Sequence, residues 1–82
     1  MPEISRFYGI IVTMYFKDHN PPHVHVIYNE HEALYDISTI TLIRGSLPNR
    51  AENLFREWAQ EHKEDLQKIW DTQEFHRISP LE

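Results

Sequence analysis

Residues 23–37 read His-Val-His-Val-Ile-Tyr-Asn-Glu-His-Glu-Ala-Leu-Tyr-Asp-Ile, and this stretch decides the predicted fold. Apolar and polar side chains alternate on both sides of Asn29-Glu30, which is typical of two half-buried β-strands joined by a tight turn. With a two-residue turn, Val24 pairs with Tyr35, and the apolar side chains of both strands face the same way. A slip of one residue would mix the two faces, so burial of one face fixes this register.

Further strands are expected on both sides of the hairpin. Residues 6–16, RFYGIIVTMYF, are rich in β-branched and aromatic side chains and predict one long strand with a wholly apolar face. The segment 18–26 contains a histidine-rich, proline-stiffened turn and the second strand. A third strand is expected over 32–37 and a short fourth strand over 40–44.

The periodicity of the sequence changes after Pro48. Apolar side chains then recur at steps of three and four residues as far as Trp70, which predicts an amphipathic helix over 48–70. Such a helix would be about 35 Å long, so a kink or a projecting end is expected on a small sheet. The sequence therefore predicts a single α+β domain over 1–82, with a small antiparallel sheet of three to four strands followed by one long amphipathic C-terminal helix.

Composition narrows the class of protein. The chain has 82 residues and no cysteine, so disulfides and thiolate metal ligands are excluded and a reducing compartment is favoured. It contains no apolar run typical of a signal peptide or membrane span, and we expect a cytoplasmic protein without membrane contact. A formal net charge of −5 disfavours a protein that coats nucleic acid. So short a chain has a small core, which is compatible with a homodimer.

The segment 18–26, DHNPPHVHV, is the most distinctive chemical feature of the chain. His23 and His25 share one face of a strand about 6.5 Å apart, and they can converge on one metal ion. His19 or Asp18 from the preceding loop and Asp36 from the neighbouring strand could complete such a site. However, the sequence contains no HExxH or CxxC pattern. The main prediction is therefore a site without metal or other cofactor, and a metal-binding domain is a weaker alternative.

The same side chains can act as acids and bases. His19, His23 and His25 are the candidate catalytic histidines, and Asp36 lies opposite His23 in the predicted hairpin, where it would orient the ring. A metal-independent ribonuclease would need such groups together with a cation on the phosphate. The candidate cations and polar binding residues are Arg6, Lys17, Arg44, Asp18 and Asn20.

A purely structural interpretation is simpler for any one histidine. Each would then be a half-exposed strand residue, and Asn20-Pro21-Pro22 would only shape a turn. Taken together, a polar aromatic face beside a stiff loop favours a binding surface over a core, because buried imidazole nitrogens would be left without partners.

Several stretches of the chain resemble a small bacterial family known as domain of unknown function 4160. They cover nearly the whole sequence and are PEISRFYGI (2–10), DHNPPHVHV (18–26), EALYDI (32–37), GSLP (45–48) and EWA (57–59) with the later Trp70. The chain departs from the family at Asn29-Glu30-His31, where a more glycine-rich turn is expected. The residues that match the family motif are Arg6, Asp18, His19, Asn20, His23 and His25.

The resemblance implies a genomic neighbour, a second small domain of unknown function numbered 2442. Such pairs are similar to type II toxin–antitoxin modules, in which this chain would be the toxin and the neighbour its antitoxin. The expected function is then inhibition of growth through RNA or the translation apparatus, including the ribosome. The alternative from another class is a non-enzymatic binding module or antitoxin-like adaptor, which captures a partner through its sheet edge or acidic helix.

Overall fold

The computed structural model describes residues 3–15 and 17–81, which form one antiparallel sheet and two helices. The five strands of these residues are neighbours in the sheet in the same order as in the sequence. They are β1 (Glu3–Phe7), β2 (Ile10–Thr13), β3 (His23–Tyr28), β4 (His31–Asp36) and β5 (Leu42–Gly45), followed by the helices α1 (Asn49–Glu61) and α2 (Lys63–Thr72). The predicted α+β class is confirmed, whereas the predicted numbers of strands and helices are wrong.

The central hairpin has the predicted register. Val24 pairs with Tyr35 and His23 with Asp36, and the turn consists of two residues, the first of which, Asn29, has a φ of 53°. The strand predicted over 32–37 begins and ends one residue earlier, because Tyr28 also pairs with His31. Burial of the apolar face is therefore sufficient to fix the alignment of β3 on β4.

The single strand predicted over 6–16 is wrong, because the chain reverses at Tyr8 and Gly9. Both residues have a positive φ, 50° and 80°, and Phe7 pairs with Ile10, which is the geometry of a two-residue type I′ turn. Tyr8 is 54% exposed and occupies a position where such turns usually place Asn or Asp. The apolar run continues through the turn, so the sequence shows no polar break at this point. Phe16, at the end of the predicted strand, lies outside the described residues.

The fourth predicted strand, over 40–44, is displaced towards the C-terminus and is observed as β5. Ile40 is buried but has a φ of 52°, and its amide donates to the Asp36 carbonyl at 2.9 Å, so it belongs to the turn after β4. Its apolar side chain packs in the core, although the residue is not part of a strand. The predicted strand therefore begins too early, because the prediction relied on apolar character alone.

The single helix predicted over 48–70 is divided in two at His62, which has φ −118° and ψ 20°. The His62 amide donates to the carbonyls of both Trp58 and Ala59 at 3.2 Å, a shared geometry common at helix ends. An unbroken helix over 49–72 would be about 36 Å long, whereas the longest extent of the described chain is 31 Å. The expected kink takes the form of this break, which keeps the buried Leu66 and Ile69 of α2 on the core.

One face of the sheet packs on the helices, and the other face carries the candidate site. The largest buried side chains of the core include Trp58, Tyr35, Phe55, Ile4, Ile10 and Met14. On the opposite face, His25 of β3, Leu34 of β4 and Arg44 of β5 lie side by side in register. Neither α1 nor α2 is long and apolar enough to cross a membrane, in the described part of the chain.

The two edges of the sheet differ. Beside β1, the amide of Ile78 donates to the Ile4 carbonyl at 2.8 Å, and the Trp58 indole donates to the Ser79 carbonyl at 2.8 Å. The C-terminal segment therefore covers this edge. At the other edge, no strand of residues 3–15 and 17–81 pairs with the outer side of β5, where Leu42 and Ile43 are 44% and 46% exposed.

Gly45→Ala should destabilise the fold far more than Gly9→Ala. Both glycines have a φ near +80°, which costs an alanine about 1 kcal/mol. A Cβ at Gly45 would also lie 2.1 Å from the backbone oxygen of Glu32, whereas at Gly9 the nearest atom is 3.5 Å away on the Tyr28 ring. We expect a loss of more than about 2 kcal/mol for Gly45→Ala. Urea unfolding measures both variants, and equal losses would contradict the close packing of β5 on β4.

Candidate metal centre

The loop between β2 and β3 places a carboxylate between two histidines. Oδ2 of Asp18 lies 3.0 Å from Nε2 of His23 and 3.3 Å from Nε2 of His25. These three atoms all lie within 4.8 Å of one another. The two histidines share a strand face because they are two residues apart in β3, and Asp18 reaches them because the loop folds back over that face.

The position of Asp18 is fixed by backbone contacts. Its Oδ1 accepts a hydrogen bond from the amide of His19 at 2.8 Å. The preceding residue, Lys17, has a φ of 56°, and its amide donates to Oε1 of Gln73 at 2.7 Å, which ties the loop to the end of α2. Burial alone would raise the pKa of Asp18. The hydrogen bond from His19 and the contacts with His25 and His23 together outweigh burial, so its pKa lies below the usual range.

The contacts of His23 determine which of its nitrogens carries hydrogen. Nδ1 lies 2.8 Å from the carbonyl oxygen of Pro21, which can only accept, so Nδ1 must be the donor. In neutral imidazole, the lone pair of Nε2 then faces the Asp18 carboxylate oxygen, which is also an acceptor. The ring is 7% exposed and packs against Trp70 with 5.3 Å between ring centroids, and this packing holds the ring against the carboxylate.

His25 is less well satisfied. Its Nδ1 lies 3.5 Å from Oε2 of Glu32, yet this buried atom has no hydrogen-bond partner among the described residues. The ring packs edge-on against Tyr15, with 4.3 Å between ring centroids. If Nδ1 carries the proton, it faces the Glu32 carboxylate, and Nε2 again directs a lone pair at Asp18. If Nε2 carries the proton, the lone pair of Nδ1 faces Glu32.

A positive charge between the three side chains would stabilise the acceptor atoms that face one another. An imidazolium form of His23 would donate to both Pro21 and Asp18, which is the basis of an acid–base site. A metal ion would instead accept all three lone pairs at once. In a tetrahedral zinc site with bonds of about 2.0–2.2 Å, ligand atoms lie about 3.3 Å apart. Asp18 lies 3.0 and 3.3 Å from the two histidines, and the ligand atoms of His23 and His25 lie within 4.8 Å of each other.

A cavity of about 340 Å³ opens beside the three side chains. The residues that line it are Asp18, His19, Asn20, Pro21, His23, His25, Leu34, Ile43 and Arg44. Arg44 and the apolar side chains come from β4 and β5, and the rest come from the loop and β3. A ligand bound there would touch both the Asp18–His23–His25 cluster and the guanidinium of Arg44.

The remaining candidates from the sequence are distributed unevenly. His19 and Asn20 are exposed and line the cavity, but His19 is not part of the cluster around Asp18. Arg6 lies on β1 and binds Glu3 at 2.8 Å, away from the cavity. Lys17 is exposed in the loop and does not line the cavity either. Of the three candidate cations, Arg44 is the one that the fold brings to the site.

Asp36 does not make the expected contact with His23, although the two residues are paired. Its Oδ1 accepts hydrogen bonds from the amide and hydroxyl of Ser38, at 2.8 and 2.6 Å, and from the amide of Thr39 at 3.1 Å. The carboxylate therefore stabilises the turn after β4, and Asp18 takes the place proposed for it beside His23. Side-chain hydrogen bonds to the following backbone are the commonest use of Asp in a turn.

Sequence reasoning did not identify Glu32 as part of the site. It lies on β4 two residues before Leu34, the partner of His25, and on the same face, so its side chain is a diagonal neighbour of that ring. The predicted hairpin register contained this information. The contribution of the Pro21 carbonyl to His23 was not predictable in the same way, because it depends on the backbone path of the loop.

A family model described as domain of unknown function 4160 matches residues 9–71. The match spans most of the chain and includes β2–β5 and α1, together with the loop that carries Asp18. The chain therefore belongs to this family. No curated protein and no solved structure matches the sequence.

Replacing Asp36 should weaken the fold in a pH-dependent way. The hydrogen bonds from Ser38 lower the pKa of Asp36, opposed by burial and supported by Thr39. Its stabilisation is therefore complete above the unfolded value near 3.8 and is lost as the pH falls through the lower folded value. Asp36→Ala should cost about 1 kcal/mol at neutral pH.

Asp36→Asn is the matched variant, because it keeps the acceptor but removes the charge. Its difference from the wild type in free energy of unfolding should shrink as the pH falls from about 5 to about 2. Urea unfolding across this range measures the difference. A difference that is constant with pH would show that the charge of Asp36 does not contribute to the turn.

Proposed function

We propose that this member of the domain of unknown function 4160 family is a metal-binding domain. In this proposal, Asp18, His23 and His25 hold one divalent transition-metal ion, and the remaining coordination position opens into the cavity. The observation that carries the proposal is the convergence of two Nε2 atoms and one carboxylate oxygen within 4.8 Å. Three acceptor atoms this close together are stabilised by a cation or by protons between them.

The surroundings of the two histidines support the proposal. Metal-binding histidines usually donate their second N–H to a carbonyl or carboxylate, which fixes the ring and directs the other nitrogen at the ion. His23 has the Pro21 carbonyl in this position, and His25 has Glu32. The hydrogen bond from the His19 amide to Asp18 likewise orients the third ligand. His23 and Asp18 therefore have hydrogen-bonded outer partners, whereas Glu32 lies near Nδ1 of His25 at 3.5 Å without a hydrogen bond.

The donor set indicates which metals to expect. Two imidazole nitrogens and one carboxylate oxygen suit Zn²⁺ and its neighbours in the first transition row, whereas Mg²⁺ and Ca²⁺ prefer sites made entirely of oxygen. Structural zinc sites generally have four protein ligands, and catalytic sites have three together with an open position. An ion at this site would supply Lewis-acid chemistry and an activated water molecule. The cavity offers room for a substrate beside it.

Untagged protein should bind one equivalent of Zn²⁺, measured by calorimetry and by elemental analysis after dialysis. At free Zn²⁺ about a hundredfold above Kd, the fold should gain about 2.7 kcal/mol, seen as a higher Tm. His25→Ala and Asp18→Asn should each lower the affinity at least about tenfold, because they remove a ligand. Glu32→Gln should lower it about tenfold by loosening the His25 ring.

His31→Ala is the matched control, since His31 lies on β4 and its ring nitrogen is 3.6 Å from the exposed Glu30. This variant should bind Zn²⁺ as the wild type does. Zn²⁺ binding with wild-type affinity in both His25→Ala and Asp18→Asn would show that the ion binds elsewhere, and it would contradict the proposal.

For the biological role, we propose the toxin of a toxin–antitoxin pair that acts on RNA or the translation apparatus. This role rests on the resemblance to toxin–antitoxin pairs given above and on the histidine cluster beside an open cavity. The proposed partner is the small protein encoded next to it. The uncovered edge of β5 borders the cavity through Ile43 and Arg44, so a partner on this edge would also obstruct the site.

Expression of the chain alone should slow bacterial growth, and His25→Ala should relieve the inhibition because it removes a cluster residue. His31→Ala should remain inhibitory, and co-expression of the neighbouring protein should restore growth. Growth curves with matched expression levels, checked by immunoblot and by circular dichroism of the purified variants, measure this. Normal growth with a folded, abundant wild-type chain would contradict the toxin role, and the metal-binding proposal would be unaffected.

A further inference from the structure

The guanidinium of Arg44 is the cationic partner that the fold brings to the metal ligands. Arg44 lies across Leu34 from His25, two strands away, which corresponds to about 10 Å between backbones. Arg44 lines the same cavity as Asp18, His23 and His25. A group bound in the cavity would therefore lie between an ion on the cluster and the guanidinium.

Arg44 has no ion pair within residues 3–15 and 17–81, although the chain has a formal net charge of −5. Arg6 and Arg77, by contrast, both bind Glu3 at 2.8 Å. Asp18 is the sole acidic residue among the residues that line the cavity. With a divalent ion bound to the cluster, the cavity would carry net positive charge on an otherwise acidic protein, and such a site concentrates anions.

We propose that the cavity binds the phosphoryl group of a nucleotide, with its oxygens shared between the metal ion and Arg44. This inference rests on the proposed function, because the ion is one of its two anion-binding groups. A planar guanidinium matches the spacing of phosphate oxygens and donates two parallel hydrogen bonds to them. An ion held by Asp18, His23 and His25 would supply Lewis-acid chemistry to a further phosphate oxygen.

The size and lining of the cavity support a nucleotide over a larger ligand. A volume of about 340 Å³ is at the lower end of the range for small-molecule pockets, and it has room for a group of about one nucleotide. Leu34 and Ile43 provide an apolar wall beside Arg44, against which a sugar or base can pack. The acidic remainder of the protein disfavours long contacts with a nucleic-acid backbone. The ligand is therefore a mononucleotide or one exposed nucleotide of a single strand.

Calorimetry with the full chain loaded with Zn²⁺ tests this inference, with adenosine 5′-monophosphate, adenosine and a uridine tetranucleotide as probes. Arg44→Gln should lower the affinity for the monophosphate at least about tenfold, and its Zn²⁺ affinity should stay within about threefold of the wild type. Arg50→Gln, on the exposed start of α1, is the matched control and should bind both like the wild type. Adenosine should bind much more weakly than the monophosphate.

The outcomes separate the two proposals. If the wild type binds no Zn²⁺, the proposed function fails. If Zn²⁺ binds normally but Arg44→Gln retains full affinity for the monophosphate, or adenosine binds equally well, the phosphoryl inference alone is overturned. Tighter binding of the tetranucleotide than of the monophosphate would assign the phosphoryl group to single-stranded nucleic acid, and weaker binding would assign it to a free nucleotide.

Discussion

The register of β3 on β4 is the constraint on which the rest of the structure depends. With Val24 opposite Tyr35, the apolar side chains of both strands enter one core. The same alignment sends His23 and His25 to the opposite face, where Glu32 is the diagonal neighbour of His25. A shift of one residue would turn both imidazoles into the apolar core and turn the core side chains away from it. Core formation and site formation are therefore consequences of a single alignment.

The sequence predicted those features that follow from alternation and failed where a local backbone conformation decided the structure. The hairpin register and the shared face of His23 and His25 follow from a period of two, and both are present in the structure. The turn at Tyr8 and Gly9 was missed because an aromatic residue holds a turn position. No proline or glycine marks the break at His62 in the sequence. A kink was expected from the length of the helix, but no local pattern places it at His62.

In the candidate site, too, the features that follow from strand alternation were predicted, and those that depend on the local backbone were not. His23 and His25 were correctly placed together, but the sequence offered Asp18, Asp36 and His19 as possible third members. The choice depends on competing hydrogen bonds. Asp36 is directed to Ser38 and Thr39 by the turn that follows it, whereas Asp18 is turned towards the histidines by a loop tied to Gln73. A carboxylate that already has several N–H donors has little to gain from an imidazole.

The geometry of the cluster carries a cost in the absence of bound cation. Asp18 faces two imidazole nitrogens at 3.0 and 3.3 Å, and Nδ1 of His25 has no hydrogen-bond partner in the described chain, in a domain whose small core gives little reserve of stability. Protons or a metal ion remove this cost by binding to the folded state, so binding and stability are linked at this site. If the proposed ion binds, the three convergent ligand atoms beside the cavity therefore contribute both to the site and to the stability of the fold.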